Sequence, residues 1–382
     1  MFSQPVDQSA PWQSFRLQMP VAARWAYFDH AAVAPLPATT RGAIVQWARQ
    51  AADEGDTVWP AWSRRVEDAR KLAARLLGAD ESEVALVHST TEGIGLVAEG
   101  YPWRDGDNLV TVDNEFPSNL YPWMNLASRG VEARRVTTRD GRLDLTALAA
   151  ACDTRTRIIA VSWVGYVSGW RADLDALVEL AKSKGTLLFI DAIQGLGVFP
   201  LDVKATPIDF LAADGHKWLL GPEGAGLFYL RREHLDLLRP IGVGWHSVVH
   251  ASDYSRIELT LKPSAARYEG GTQNMVGFMG LAESLELLAQ FGPEAISQRI
   301  LAITDLACQR LEQIGARLAS HREGNHRSGI VSFEMPGRDS LETKRRCLAA
   351  GVVLSARAGK LRIAPHAYAN EQDVERLIEA LA

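Results

Sequence analysis

The chain has 382 residues, with 41 lysines and arginines against 46 aspartates and glutamates, a formal net charge of −5. No basic block supplies the footprint that a nucleic-acid backbone needs, while 47% hydrophobic residues are enough to fill the cores of two domains. The cysteines, at 152, 308 and 347, show no CxxC or metal-ligand spacing, so neither a disulfide framework nor a metal site is expected.

Along the chain, the first twenty residues lack the basic start and apolar stretch of a secretory signal, and no apolar run approaches a membrane span. A cytoplasmic protein without membrane attachment is expected. From about residue 84 to 230, short β-rich runs alternate with helical segments: Val84 to His88, Leu109 to Asp113, Arg157 to Trp163, Thr186 to Asp191, Ile208 to Ala212 and Gly226 to Leu230. This alternation predicts an α/β domain built on a mostly parallel, helix-covered sheet. The run Thr186 to Ile190 is continuous rather than alternating, as in a central strand buried on both faces. Asp191 then stands at the carboxyl end, where open α/β sheets bind ligands. After about residue 275 the pattern changes to helices near 276 to 291 and 295 to 319, a strand near 329 to 334, a helix near 340 to 350, short strands near 352 to 355 and 361 to 364, and a last helix from 371. The predicted organisation is a large α/β domain over 24–274 and a small C-terminal α+β domain over 275–382, with 1–23 packing on either.

Three segments carry chemistry. Ser89-Thr90-Thr91-Glu92 follows a strand and opens a helix with the Ser-x-x-Glu pattern of a capping box. Alone it is a helix start, although the amides of such a start also suit a phosphate. Asp191 is a carboxylate at the end of a buried strand, costly unless partnered, and by itself is equally a helix N-cap. Lys217 lies in Gly215-His216-Lys217-Trp218, a glycine-flanked loop directly after an apolar run.

Together with Gly270-Gly271-Thr272 and Leu361-Arg362-Ile363, these segments occur in the order and approximate spacing of the class V aminotransferases. The chain resembles that family of fold type I pyridoxal 5′-phosphate (PLP) enzymes over nearly its whole length. The resemblance implies that Lys217 links covalently to PLP and acts as general base, and that Asp191 pairs with the pyridine nitrogen. It places Gln194 at the ring hydroxyl, Ile193 among the cofactor-binding residues, and Thr90, Thr91 and His216 at the phosphate. Phe116, in Asn114-Glu115-Phe116-Pro117-Ser118-Asn119, would lie over the ring, and Trp163 beside it, where desulfurases carry histidine and asparagine. Asp214 stands where desulfurases carry a small hydroxyl residue, and it is given no phosphate role. Arg362 would clamp the substrate α-carboxylate. His30, in Asp29-His30-Ala31-Ala32, belongs to a segment that closes over the substrate. Thr272 would reach the phosphate of a neighbouring subunit, which implies a homodimer with shared sites.

Within the family the chain is similar to isopenicillin N epimerase-like and cysteine desulfurase-like members. The stretch Ser355 to Leu361 lacks the nucleophilic cysteine that desulfurases carry before the substrate arginine. The expected activity is therefore transformation of an amino acid at its α-carbon. Aminotransfer is the first reading, with carbon–sulfur β-elimination or epimerisation as alternatives. A PLP-binding protein without turnover is the alternative of another class. Phe116 and Trp163 beside the ring would favour a bulky or hydrophobic substrate side chain over an aspartate-like one.

Overall fold

Val84 and Leu86 pack on one face of a sheet while Ala85 and Val87 pack on the other, and all four are buried. That two-sided burial recurs along the sheet because its strands are short apolar runs with helices on both faces. In the computed structural model, which describes residues 10–382, seven strands form the large sheet. Their spatial order is Val84–Val87, Gly226–Leu230, Phe210–Asp214, Leu187–Asp191, Thr156–Ser162, Asn108–Val112 and Glu132–Val136. Neighbouring strands are parallel from Phe210–Asp214 outward to Glu132–Val136, and Gly226–Leu230 alone runs against its neighbours. The sheet is thus mostly parallel, as the alternating pattern predicts. The edge strand Glu132–Val136 was absent from that pattern because Glu132, Arg134 and Arg135 interrupt its apolar run. Such charges suit an exposed edge, where they discourage pairing with another chain.

The C-terminal part holds a four-stranded antiparallel sheet in the order Ser355–Arg357, Lys360–Ile363, Val331–Glu334 and Arg317–Leu318. The helix expected over 295 to 319 is Pro293–Gln313, because the chain turns at Gly315 with φ of 82°, a conformation that favours glycine, and enters the short edge strand. Two packing relationships cross the position 274/275 at which the sequence was divided. The helix Met275–Phe291 packs on Ala38–Asp53 and Trp59–Leu77 and contributes Phe278, Leu281 and Leu285 to the core of the large sheet. Ala26 and Phe28 join the C-terminal core, where Ala26–Tyr27 pairs in parallel with Val352–Val353. The helix Ala10–Leu17 touches both parts, since Phe15 stacks on Phe291 and Arg16 pairs with Asp373 of the last helix at 2.6 Å.

Candidate active site

The parallel strands Leu187–Asp191 and Phe210–Asp214 end side by side, and the chain beyond them lines a cavity of about 320 Å³. Asp191, Ile193 and Gln194 enter from the first strand end, and Asp214, His216 and Lys217 from the second. Ser89, Thr90 and Thr91 at the start of the helix Thr90–Gly100, together with Phe116, Tyr166, Arg357 and Arg362, complete the polar and aromatic lining. The tight loop before Lys217 requires glycine at 215, where a Cβ would stand 2.5 Å from the Ala225 carbonyl oxygen and 2.8 Å from Leu281.

Lys217 is 9% exposed, and among the described residues its Nζ makes no hydrogen bond or ion pair. The amine lies 5.6 Å from the centre of the Phe116 ring. Burial lowers its pKa to about 8, opposed by the negative charge of Asp191 and reinforced by Arg362 and Arg357. Asp191 is buried with one acceptor bond, from the Ile193 amide at 3.0 Å, and no cation within ion-pair distance among the described residues. Burial raises it to about 6. A buried carboxylate lacking a cationic partner on a cavity floor fits a protonated pyridine nitrogen.

The capping box is half formed. Ser89 Oγ accepts from the Glu92 amide at 3.1 Å, but the Glu92 carboxylate turns to the amide and Nδ1 of His88 rather than to the amide of Ser89. Thr90 Oγ1 accepts from the Asp214 amide at 2.9 Å, and Thr91 Oγ1 donates to Ser118 Oγ at 2.8 Å. The first-turn amides of this helix have no carbonyl partner within it, which makes the start of the helix a fit for a phosphate. Asp214 faces His216, with Oδ2 3.0 Å from Nδ1 but misaligned for a hydrogen bond, and its buried Oδ1 has no partner. Gln194 receives the Trp218 indole at 2.8 Å and donates to the Ala31 carbonyl at 3.0 Å, leaving one amide hydrogen for a ring hydroxyl. The donor set fits PLP: Lys217, the carboxylate of Asp191, the remaining amide hydrogen of Gln194 and the helix start at Thr90.

Arg362 is 1% exposed and donates to Ser355 Oγ, the Tyr166 carbonyl and Asp29 Oδ1 at 3.1, 2.7 and 3.2 Å. Burial lowers its pKa, while Asp29 opposes the shift. One N–H on each terminal nitrogen remains for a substrate carboxylate.

Three expected residues lie outside the cavity. His30 is sealed behind it, with Nδ1 on the Ala364 carbonyl at 2.9 Å and Nε2 on the Tyr368 hydroxyl at 3.0 Å, so its neighbours Ala31, Ala32 and Val33 form the wall instead. Trp163 packs over Gly195, where a Cβ would come within 2.4 Å of the indole, and against Phe199, so it is a core side chain. With Trp163 in the core, the apolar and aromatic lining of the cavity consists of Phe116 and Tyr166 with Ala31, Ala32, Val33 and Ile193. Thr272 is exposed and does not line the cavity of its own chain. Tyr166, Ser118 and Arg357 were not anticipated. Arg357 carries no signal of its own in the sequence, and the register of its hairpin puts it on the same sheet face as Arg362.

The aminotransferase class-V family model matches residues 26–377. The chain is 27% identical over 393 residues to a probable cysteine desulfurase of Methanothermobacter thermautotrophicus, spanning 97% of both chains. It is 32% identical over 320 residues to a cysteine desulfurase of Klebsiella pneumoniae, spanning 81% of this chain and 78% of the other. Its fold superimposes on the apo structure of cysteine desulfurase from Thermococcus onnurineus with a TM-score of 0.87 and 25% identity, covering 100% of this chain and 98% of that one. The chain belongs to the class V aminotransferase family of PLP-dependent enzymes.

Proposed function

We propose that this enzyme transforms an amino acid at its α-carbon, with amino-group transfer as the reaction. The observation that carries the reading is the free amine of Lys217 lining one cavity with Asp191 and Arg362, a cavity that no cysteine lines. When bound, PLP supplies an electron sink that weakens the bonds to the substrate α-carbon. Arg362 orients the α-carboxylate through its two remaining N–H groups, which fixes the α-hydrogen relative to Lys217. Lys217 Nζ would take the proton from the substrate α-carbon, and amino transfer requires that it deliver that proton to the cofactor rather than back to the same carbon; a pKa lowered by burial favours the neutral, basic amine. Asp191 would hold negative charge for the ring nitrogen, and Phe116, whose ring centre lies 5.6 Å from the Lys217 amine, would pack against the cofactor without offering a proton. Epimerisation would require a proton-transfer group besides Lys217, which Phe116 cannot be.

The names of the relatives favour a second reading, β-elimination from a sulfur-bearing amino acid, which uses the same proton abstraction and needs no protein thiol. Persulfide formation is not part of either reading. Cys308 and Cys347 lie in the C-terminal core, and Cys152 follows the helix Leu145–Ala151 away from the cavity. A panel of L- and D-amino acids, with and without a keto-acid acceptor, read by absorbance, keto-acid and sulfide assays, tests the proposal. Turnover that depends on the acceptor supports transfer, while acceptor-independent release of sulfide and pyruvate assigns the lyase reading. Binding of PLP without turnover of any amino acid would leave a cofactor-binding protein.

The working unit is proposed to be a homodimer in which Thr272 serves the other copy's cavity. On the segment leading to it, Tyr254, Ile257 and Leu259 are 74%, 91% and 76% exposed, a concentration of apolar surface that calls for a cover. That segment is tied to the Thr272 loop by the His246 amide, which donates to the Gly270 carbonyl at 3.2 Å. Among the described residues no helix is long and apolar enough to cross a membrane. We place the protein in the cytoplasm on its cysteine usage.

A further inference from the structure

The strands Ser355–Arg357 and Lys360–Ile363 form a hairpin in which Ser355 faces Arg362, Ala356 faces Leu361 and Arg357 faces Lys360. Successive side chains alternate between faces, so Ala356 and Leu361 belong to the core side, and Ser355, Arg357, Lys360 and Arg362 share the other. Leu361 is buried in the C-terminal core, as this requires. The connecting residues Ala358 and Gly359 have φ of 48° and 77°, a two-residue turn that fixes the register and with it the position of Arg357.

Three cations therefore project from one short, rigid ribbon, and two of them are matched. Arg362 lies 3.2 Å from Asp29, and Lys360 lies 3.0 Å from Glu334. Arg357 has no carboxylate within ion-pair distance among the described residues, and its one hydrogen bond goes to the carbonyl of Ala356 at 3.2 Å. Yet it lines the same cavity as Lys217 and Arg362. The carboxylates on that cavity are occupied elsewhere, since Asp191 fits the ring nitrogen and Asp214 faces His216. The phosphate fits at the start of the helix Thr90–Gly100, so it does not account for Arg357 either.

We infer that the substrate is an amino acid carrying a second carboxylate at the end of its side chain, and that Arg357 is the residue that selects it. This rests on the assignment of the cavity as an amino-acid site with Arg362 at the α-carboxylate. A planar guanidinium on a fixed hairpin presents two parallel donors to such a group, which a neutral amide side chain of the same shape does not match.

The test compares L-aspartate and L-glutamate with L-asparagine and L-glutamine on the PLP-loaded enzyme, in wild type, Arg357→Ala and Arg357→Lys. The expected result is a higher kcat/KM for the acids, with the acid-to-amide ratio falling roughly tenfold or more in Arg357→Ala and by less in Arg357→Lys. A binding arm uses succinate and glutarate against butyrate, read by calorimetry and by the shift in melting temperature. The dicarboxylates should bind more tightly, and Arg357→Ala should erase most of the difference. Arg357 is exposed and has no side-chain partner, so both variants should fold. An acid-to-amide ratio that Arg357→Ala does not move, or loss of all amino acids alike, overturns the inference and places Arg357 with Arg362 at the α-carboxylate or outside the site. If the dicarboxylates show Arg357-dependent binding while no amino acid is turned over, the proposed reaction fails and the selectivity stands.

Discussion

Trp218 Nε1 donates to Gln194 Oε1 at 2.8 Å, fastening the residue after Lys217 to the loop that follows Asp191. Trp218 is fully buried, so the lysine enters the cavity from a backbone anchored beneath it, and the distance between base and carboxylate is set by packing rather than by a mobile loop. A fixed separation of this kind is what positions a proton-transfer group for reaction.

Lys217 should carry the cofactor. Borohydride reduction followed by peptide mapping is expected to place the pyridoxyl group on Lys217, and recovery of the label on Lys182, Lys204 or another lysine would exclude the assignment.

Asp191→Ala should keep the fold and lose most activity, because the ring nitrogen loses its buried partner. Breaking a buried pair costs on the order of 3 to 5 kcal/mol, and that loss expressed in the transition state lowers the rate about 100-fold or more. The check is kcat on a variant with an unchanged circular dichroism spectrum; near-normal turnover contradicts the role.

Arg362→Lys keeps the charge but removes the fork, and the loss of one charge-assisted contact costs about 1.5 to 3 kcal/mol, about 10- to 150-fold in kcat/KM. The variant also leaves Asp29 and the Tyr166 carbonyl short of a donor, so its melting temperature should fall as well. The discriminating measurement pairs an amino acid with its amine analogue lacking the carboxylate. A penalty confined to the amino acid supports the clamp, and an equal penalty on both makes Arg362 a structural residue.

The protein should run as a dimer in size-exclusion chromatography with light scattering. Ile257→Asp combined with Leu259→Asp should shift it toward monomer and lower PLP occupancy together. A wild-type monomer at working concentration with full PLP occupancy would falsify the shared site.

His366 should take stability away on acidification below neutral pH, against Asp191 and Glu115, whose carboxyls burial raises to about 6 and about 7 and whose contributions have the opposite sign. Burial lowers His366 from 6.5 to about 4, and His30 is also held well below its ordinary value by burial. Between those two pH values the unfolded chain binds a proton at His366 that the folded chain refuses, so unfolding becomes easier as pH drops and the effect levels off below about 4. For His366 alone the full effect is about 3 kcal/mol. His366→Gln keeps a donor for the Trp218 carbonyl and does not titrate. Relative to its own value at pH 7, its melting temperature at pH 4.5 should stand higher than that of wild type, and an equal pH dependence in the two would remove His366 as an acid-sensitive group.

The positions of Asp191 and Lys217 were legible in the sequence because each follows an uninterrupted apolar run, and such a run in an α/β pattern delivers its next residues to the carboxyl edge of the sheet. Ser89 was legible for a similarly local reason, as hydroxyl caps act over three residues. What the sequence left open was the direction of side chains where several segments meet. The identities of His30 and Trp163 give their chemistry, but whether each faces the cavity depended on distant partners: Ala364 and Tyr368 for His30, Gly195 and Phe199 for Trp163. Arg357 reversed that situation. Nothing local distinguishes it from a surface arginine, and only the register of its hairpin against Arg362 turns it toward the site. Local hydrogen bonds and apolar periodicity are encoded within a few residues, whereas the lining of a cavity is decided by strand register and by contacts between residues from about thirty to more than three hundred positions apart, whose geometry exists only once both cores have closed.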